Sequence, residues 1–187
     1  MRVIRYAPNL RLDQRLRPDD DTVVVESPGK GEEVVYLRKP TEREIALELL
    51  NSTAAVVVRV SAAESELIDE GRWIATRVSA TVAEVLRVPA GQSAAYRVGQ
   101  QIAVTAGGGR LQIGGVQIET EGCATIVPGR RYVFFIGRQD VFTALPLLVH
   151  APLLLNADGS LSPAGASTSP LVGASLRRLR QLARSGL

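Results

Sequence analysis

The stretch from Trp73 to Val88 constrains the fold of this chain more than any other. Ile74, Thr76, Val78, Ala80 and Val82 alternate with Ala75, Arg77, Ser79 and Thr81. A period of two is the mark of a strand with one buried face. Near Ala83-Glu84 the phase slips, and Val85, Leu86 and Val88 carry the apolar residues onward. A long strand whose inward set changes parity carries a β-bulge, and bulged, coiled strands are how small barrels turn their corners. The competing reading, an amphipathic helix over Thr81 to Arg87, is opposed by the density of Val and Thr and by Pro89-Ala90-Gly91 directly after it.

The neighbouring segments fit a barrel. Ala54-Ala55-Val56-Val57-Val58-Arg59-Val60 is short, β-branched and apolar on both faces at its centre, which reads as a buried strand. Gln101 to Ala106 alternates with Ile102 and Val104 inward. Gly107-Gly108-Gly109 and Gly114-Gly115 then bracket a short hairpin or loop with Leu111 and Ile113, and Val116 and Ile118 resume the alternation after it. Arg131-Tyr132-Val133-Phe134-Phe135-Ile136 is apolar on both faces and so central. Phe142 to Val149, Pro152 to Leu155 and a return through Leu161 after the Asn156-Ala157-Asp158-Gly159 turn supply further extended segments.

Helices are expected at two places. Thr41 and Glu44 have the spacing of a capping box, with Ile45, Leu49 and Leu50 on one face of the helix that follows. At the end of the chain, Ser169 as N-cap and Pro170 at the first helical position predict a helix with Val172, Leu176, Leu179 and Ala183 on one face. Arg177, Arg180 and Arg184 take another face, flanked by Arg178. This helix docks by its apolar face or offers its basic one to a partner. Residues 1–40 read as an arm with a short hairpin, since Val23-Val24-Val25 and Val34-Val35-Tyr36-Leu37 flank a turn at Ser27-Pro28-Gly29-Lys30-Gly31. Asp19-Asp20-Asp21 lacks the alternating spacing of a calcium loop and reads as a solvated run. The expected organisation is an arm over 1–40, a barrel over 41–165 and a basic helix over 166–187. The fold class is mainly β: a small closed or partly open OB-like barrel with a helix before its first strand and a C-terminal amphipathic helix.

Over about residues 41–162 the order of these pieces resembles uncharacterised bacterial envelope or secreted proteins with an OB-like, netrin- or TIMP-like barrel. The resemblance runs from the Ala54–Val60 strand through Trp73–Val78, Ala83–Leu86, Ile102–Val104, the glycine run and Val127–Ile136 to Leu155–Gly159. It implies a periplasmic or secreted setting, although Met1 to Leu16 shows no apolar stretch of an export signal. TIMP-type domains of animals reach a protease metal through an N-terminal cysteine. This chain begins Met1-Arg2, so that activity is not implied, and no binding residue is carried over.

Residue counts exclude several chemistries. The single cysteine, Cys123, cannot form an intramolecular disulfide, and the single histidine, His150, cannot anchor a multi-histidine zinc site. Cys123 with His150 is the one conceivable nucleophile–base pair, but the cysteine precedes the histidine, the reverse of the order usual in cysteine transpeptidases on β scaffolds. A buried thiol and a barrel-end imidazole are the expectation. Ala106-Gly107-Gly108-Gly109-Arg110 lacks a following Lys-Ser/Thr and leads into a strand, whereas a phosphate loop feeds a helix. No enzymatic activity, metal or cofactor is therefore expected, and no apolar run is long enough for a transmembrane helix.

Charge is divided unevenly along the chain, a pattern that solubility alone accounts for more readily than anion binding does. Residues 1–70 carry a net −4, whereas residues 71–187, with 12 basic and 5 acidic side chains, carry a net +7. OB-like barrels often bind single strands by stacking bases on aromatics in a basic groove. Trp73, Arg77, Tyr96, Arg97 and Arg110 are the residues available for such a platform, and Arg177, Arg178, Arg180 and Arg184 for a partner-binding helix. The expected function is a non-enzymatic interaction or ligand-binding barrel of the bacterial envelope or exterior, with a protein or envelope component as partner. Single-stranded nucleic-acid binding is the alternative.

Overall fold

The computed structural model describes residues 22–25, 35–38, 40–69, 71–88, 96–113, 115–120, 124–148, 152–164 and 171–185. In chain order the elements are β1 (Thr22–Val25), β2 (Val35–Arg38), α1 (Glu42–Asn51), β3 (Ala54–Ile68), β4 (Trp73–Arg87), β5 (Gln101–Gly107) and β6 (Arg110–Ile113). They continue with β7 (Val116–Glu119), β8 (Arg131–Gln139), β9 (Pro146–Leu148), β10 (Leu153–Leu155), β11 (Leu161–Pro163) and α2 (Leu176–Arg184). Asp19, Asp20, Asp21, Cys123, His150, Ser169 and Pro170 lie outside the described residues.

Five strands close on one another. β3 pairs with β4, β4 with β5, β5 with β9, β9 with β8, and β8 with β3. Every pairing is antiparallel except β5–β9, which is parallel at Thr105 and Leu147. The protein is thus mainly β, a closed five-stranded barrel with a helix before its first strand and a C-terminal helix. β10 and β11 extend the sheet from β8, while β1–β2 and β6–β7 form separate antiparallel pairs.

The parity slip in β4 is a bulge. Val58 pairs with Val82 and Val57 with Glu84, so Ala83 has no partner on β3. A second irregularity lies between Val85 and Arg87, which pair with Val56 and Ala55 and skip Leu86. Each extra residue reverses which side chains face inward and adds twist, which lets a fifteen-residue strand curl around a barrel.

The apolar residues fall into two clusters on opposite faces of β3 and β8. Val56, Val58 and Val60 point into the barrel with Val78, Ala80, Val82, Val104, Tyr132, Phe134 and Ile136. Ala55, Val57, Val133 and Phe135 face outward and are covered by Ile45 and Leu49 of α1, by Leu153, Leu155 and Leu161, and by Leu176 and Leu179 of α2. Two burial partners explain why both strands are apolar on both faces.

The helices start where their caps dictate. Thr41 closes its capping box: its hydroxyl accepts from the Glu44 N–H at 3.3 Å, and Glu44 accepts from the Thr41 N–H at 2.6 Å. Ile45 and Leu49 are buried, but Leu50 is 46% exposed and does not belong to their face, because it is rotated about 100° from Leu49. α2 begins later than its sequence predicts. Ser175, not Ser169, caps it by accepting from the Arg178 N–H, and Val172 is buried in the turn before the helix. The segment expected to extend from Phe142 to Val149 is a turn at 141–143 followed by the short strand β9. There Asp140 accepts from the Thr143 N–H and hydroxyl, and the Thr143 hydroxyl meets that of Thr105 at 2.7 Å.

Candidate functional site

The five residues available for a stacking platform are dispersed. Trp73, 64% exposed, opens β4 beside the β3–β4 turn. Arg97 lies near the opposite end of that strand, in a turn held to it by the Gly99 N–H, which donates to the Val82 carbonyl at 2.8 Å. Arg77 is engaged with Glu66 at 3.2 Å. Arg110 forks onto both carboxylate oxygens of Glu119 across the β6–β7 hairpin, at 3.1 and 2.9 Å, and this holds the Glu119 carboxyl below the ordinary range. Tyr96 packs half-buried against the barrel interior, where desolvation raises its hydroxyl pKa. Two of the three arginines are therefore neutralised by partners that the sheet register supplies.

The four arginines of α2 also differ in what they do. Leu176 and Leu179 are buried, and Leu182 and Ala183 pack against the same outer cluster, so the helix docks by its apolar face. Arg178 forms an ion pair with Glu42 at the start of α1 and donates to the Gln181 side chain. Arg180 donates to both oxygens of Glu84 at 2.7 and 2.6 Å. This two-bond fork is the strongest geometry a guanidinium offers a carboxylate. It holds the Glu84 carboxyl below its usual value against the opposing pull of partial burial, and Arg184 and Arg131 add to the effect. Arg177 and Arg184 hold no ion pair among the described residues. With Arg180 and Gln181 they line a shallow depression of about 420 Å³ along the helix.

The barrel wall continues this basic surface. Arg131 on β8 pairs with Arg59 on β3, Arg59 with Thr81 on β4, and Thr81 with Gln101 on β5, which places all four in one row across the strands. Two like charges directly opposite each other cost stability in a sheet. Both arginines are exposed, and neither forms an ion pair among the described residues. Val57 shares the outward face of Arg59 and pairs with Glu84, so the row adjoins the carboxylate to which Arg180 is anchored. The turn bearing Arg97 is tied to Val82, next to Thr81.

The result is a basic track along the edge of α2, over β8 and β3, to the turn before β5. Glu84 lies within it, and Arg180 already occupies that carboxylate. Arg59 and Arg131 were not singled out from the sequence, because only the β3–β8 register brings them together. The local signal, a charged residue on the outward parity of each apolar strand, marked them merely as strand ends.

Among the described residues no group of three or more His, Cys, Asp or Glu side chains is placed to hold a metal, and no helix is long and apolar enough to cross a membrane. No protein-family model, curated protein or solved structure matches this chain.

Proposed function

We propose that this protein is a non-enzymatic interaction module whose barrel carries an anionic partner on its outer wall. The observation that carries the reading is the track itself. Arg59, Arg97, Arg131, Arg177 and Arg184 remain exposed and, among the described residues, outside ion pairs, while Arg77, Arg110, Arg178 and Arg180 are consumed by carboxylates. A surface that leaves like charges side by side raises the local potential and favours an anion that relieves it. Numbered within the barrel, the strands follow the order 1-2-3-5-4-1 with strands 3 and 5 parallel, the connectivity of OB-type barrels, which bind ligands on their outer surfaces. A bacterial envelope or exterior setting for the module rests on the resemblance noted in the sequence.

The test measures binding at about 20 mM salt, where screening is weak. Three probes are used: a labelled single-stranded oligonucleotide, polyglutamate, and phosphatidylcholine vesicles containing phosphatidylglycerol. At least one probe is expected to bind, and Arg177→Glu with Arg184→Glu to weaken that binding at least about 10-fold with an unchanged circular dichroism spectrum. No binding to any of the three, or binding that the charge reversal leaves unaltered, overturns the proposal.

A further inference from the structure

The shape of the basic surface narrows the partner. The residues form two short lines: Arg177 and Arg184 are separated by about 10 Å along α2, and the β8-to-β5 row spans about 14 Å at the usual strand spacing. The depression along the helix edge is shallow and is lined by α2 side chains alone. Charges in narrow lines suit a linear polyanion better than the broad flat face of a bilayer. The apolar side of α2, which a membrane-surface helix would insert, is occupied by the outer cluster.

Two linear polyanions then compete, an acidic polypeptide and a nucleic-acid strand. An extended peptide gains most of its affinity by adding main-chain hydrogen bonds at a free sheet edge. Arg131, Arg59 and Thr81 lie on strands flanked by partners on both sides, so the row offers no edge at its arginines; β5 meets β9 at Thr105 alone, and the row ends there on the uncharged Gln101. A phosphodiester chain needs none, because cationic side chains alone supply its sequence-independent affinity. Every positive charge named on the track is a guanidinium, whose planar fork matches phosphate oxygens two at a time.

We infer that the partner is the phosphodiester backbone of a single-stranded nucleic acid, laid along the α2 edge at Arg177 and Arg184 and across the wall over Arg131 and Arg59 toward Arg97. The inference rests on the proposed reading of this surface and specifies its ligand. Contact is made to the backbone and not to the bases, since the two aromatic residues adjacent to the track in sequence, Tyr96 and Tyr132, both pack in the barrel interior.

The experiment is fluorescence anisotropy of labelled dT and dA oligonucleotides of about 20 nucleotides, longer than the roughly 4–16 nucleotides one such barrel engages. Polyglutamate of matched charge and the anionic vesicles are measured in parallel. Five arginines on phosphates give a slope of log affinity against log salt of about −3.5, hence about a 100-fold loss between about 50 and about 200 mM salt. The dT and dA strands should bind within about 3-fold of each other. The double variant Arg177→Glu/Arg184→Glu should flatten the slope to about −2, as should the milder Arg59→Gln/Arg131→Gln. Arg138→Glu, at the far end of β8, should leave both affinity and slope unchanged. Binding of polyglutamate or vesicles without binding of the oligonucleotides overturns this inference and leaves the anionic-partner reading standing. Binding of no probe overturns both. A strong preference for dT or dA overturns the backbone contact.

Discussion

Truncating Leu179 to alanine tests whether α2 is built into the structure or only attached to it. Leu179 is fully buried in the outer cluster, among residues of α1, β3, β8 and β10. Leucine to alanine removes three carbon groups, each worth about 0.8 kcal/mol of transfer free energy, or about 2.4 kcal/mol. The unfilled volume adds to this, since side chains anchored on paired strands cannot collapse far, and the expected loss is about 3 kcal/mol. Such a loss is a large fraction of the roughly 5–15 kcal/mol that stabilises a domain. Urea denaturation followed by circular dichroism reads it directly, with Leu50→Ala on the exposed side of α1 as the control expected to cost under about 1 kcal/mol. A Leu179→Ala change below about 1 kcal/mol would refute the reasoning, because it would mean that the helix does not share the core. Deleting residues 166–187 carries the same logic further. It would expose Val57, Val133 and Phe135 on the barrel wall, and an aggregating product is expected.

Other expectations follow from single contacts. Thr41→Ala should cost about 1 kcal/mol through loss of the capping box, and thermal unfolding no lower than that of the parent would contradict it. Gly109→Ala should lower stability by about 1–3 kcal/mol, since an added methyl group would meet the hydroxyls of Ser65 and Thr76, which bond each other at 2.9 Å, while Ser65 also accepts from the Arg110 N–H. An unchanged melting temperature would show that this junction is slack. Glu84→Gln should cost about 0.5 kcal/mol at pH 7, a value kept small because the ion pair is partly exposed. The Glu84 carboxyl titrates below its unfolded value, so its contribution is present above the ordinary carboxylate range and lost as pH falls through the lowered folded value. Parent and variant should therefore converge in strongly acidic solution, and a gap that persists there would refute the assignment.

What could be read from the chain was local or periodic. The bulge at Ala83 was legible because a parity change within one strand is visible in the order of Val82, Val85 and Leu86. The capping box was legible because Thr41 and Glu44 need no distant partner. The start of α2 was not. Ser169-Pro170 is a fair local signal, but Ser175 is bridged to Ser160, and the Leu176 N–H donates to the Gly159 carbonyl, so a distant turn fixes where the helix begins. Closure of the barrel was equally hidden, for it depends on the short β9 reaching β5 at Thr105. The candidate surface was hardest to read. Whether Arg77 and Arg110 are free or spent is decided by which glutamates the registers of β3–β4 and β6–β7 place nearby, and periodicity does not set those registers.

The bulge ties the fold to the surface. Val78, Ala80 and Val82 face the barrel interior, and with unbroken alternation Glu84 would follow them inward, an unpaired carboxylate among valines and aromatics. Because Ala83 is extra, Val85 takes the inward position instead and Glu84 turns outward opposite Val57. There it meets Arg180, which is carried to it by a helix whose leucines cover the same outward face of β3 and β8. One inserted residue thus settles three things: the curvature of β4, the satisfaction of a carboxylate, and the position of α2 beside the Arg59–Arg131 row. The arginine track is therefore not a loose collection of surface charges. Its helical part is registered against its strand part by the same packing that stabilises the domain, so a ligand of the proposed kind would meet preformed guanidinium groups and would not have to order the helix that carries them.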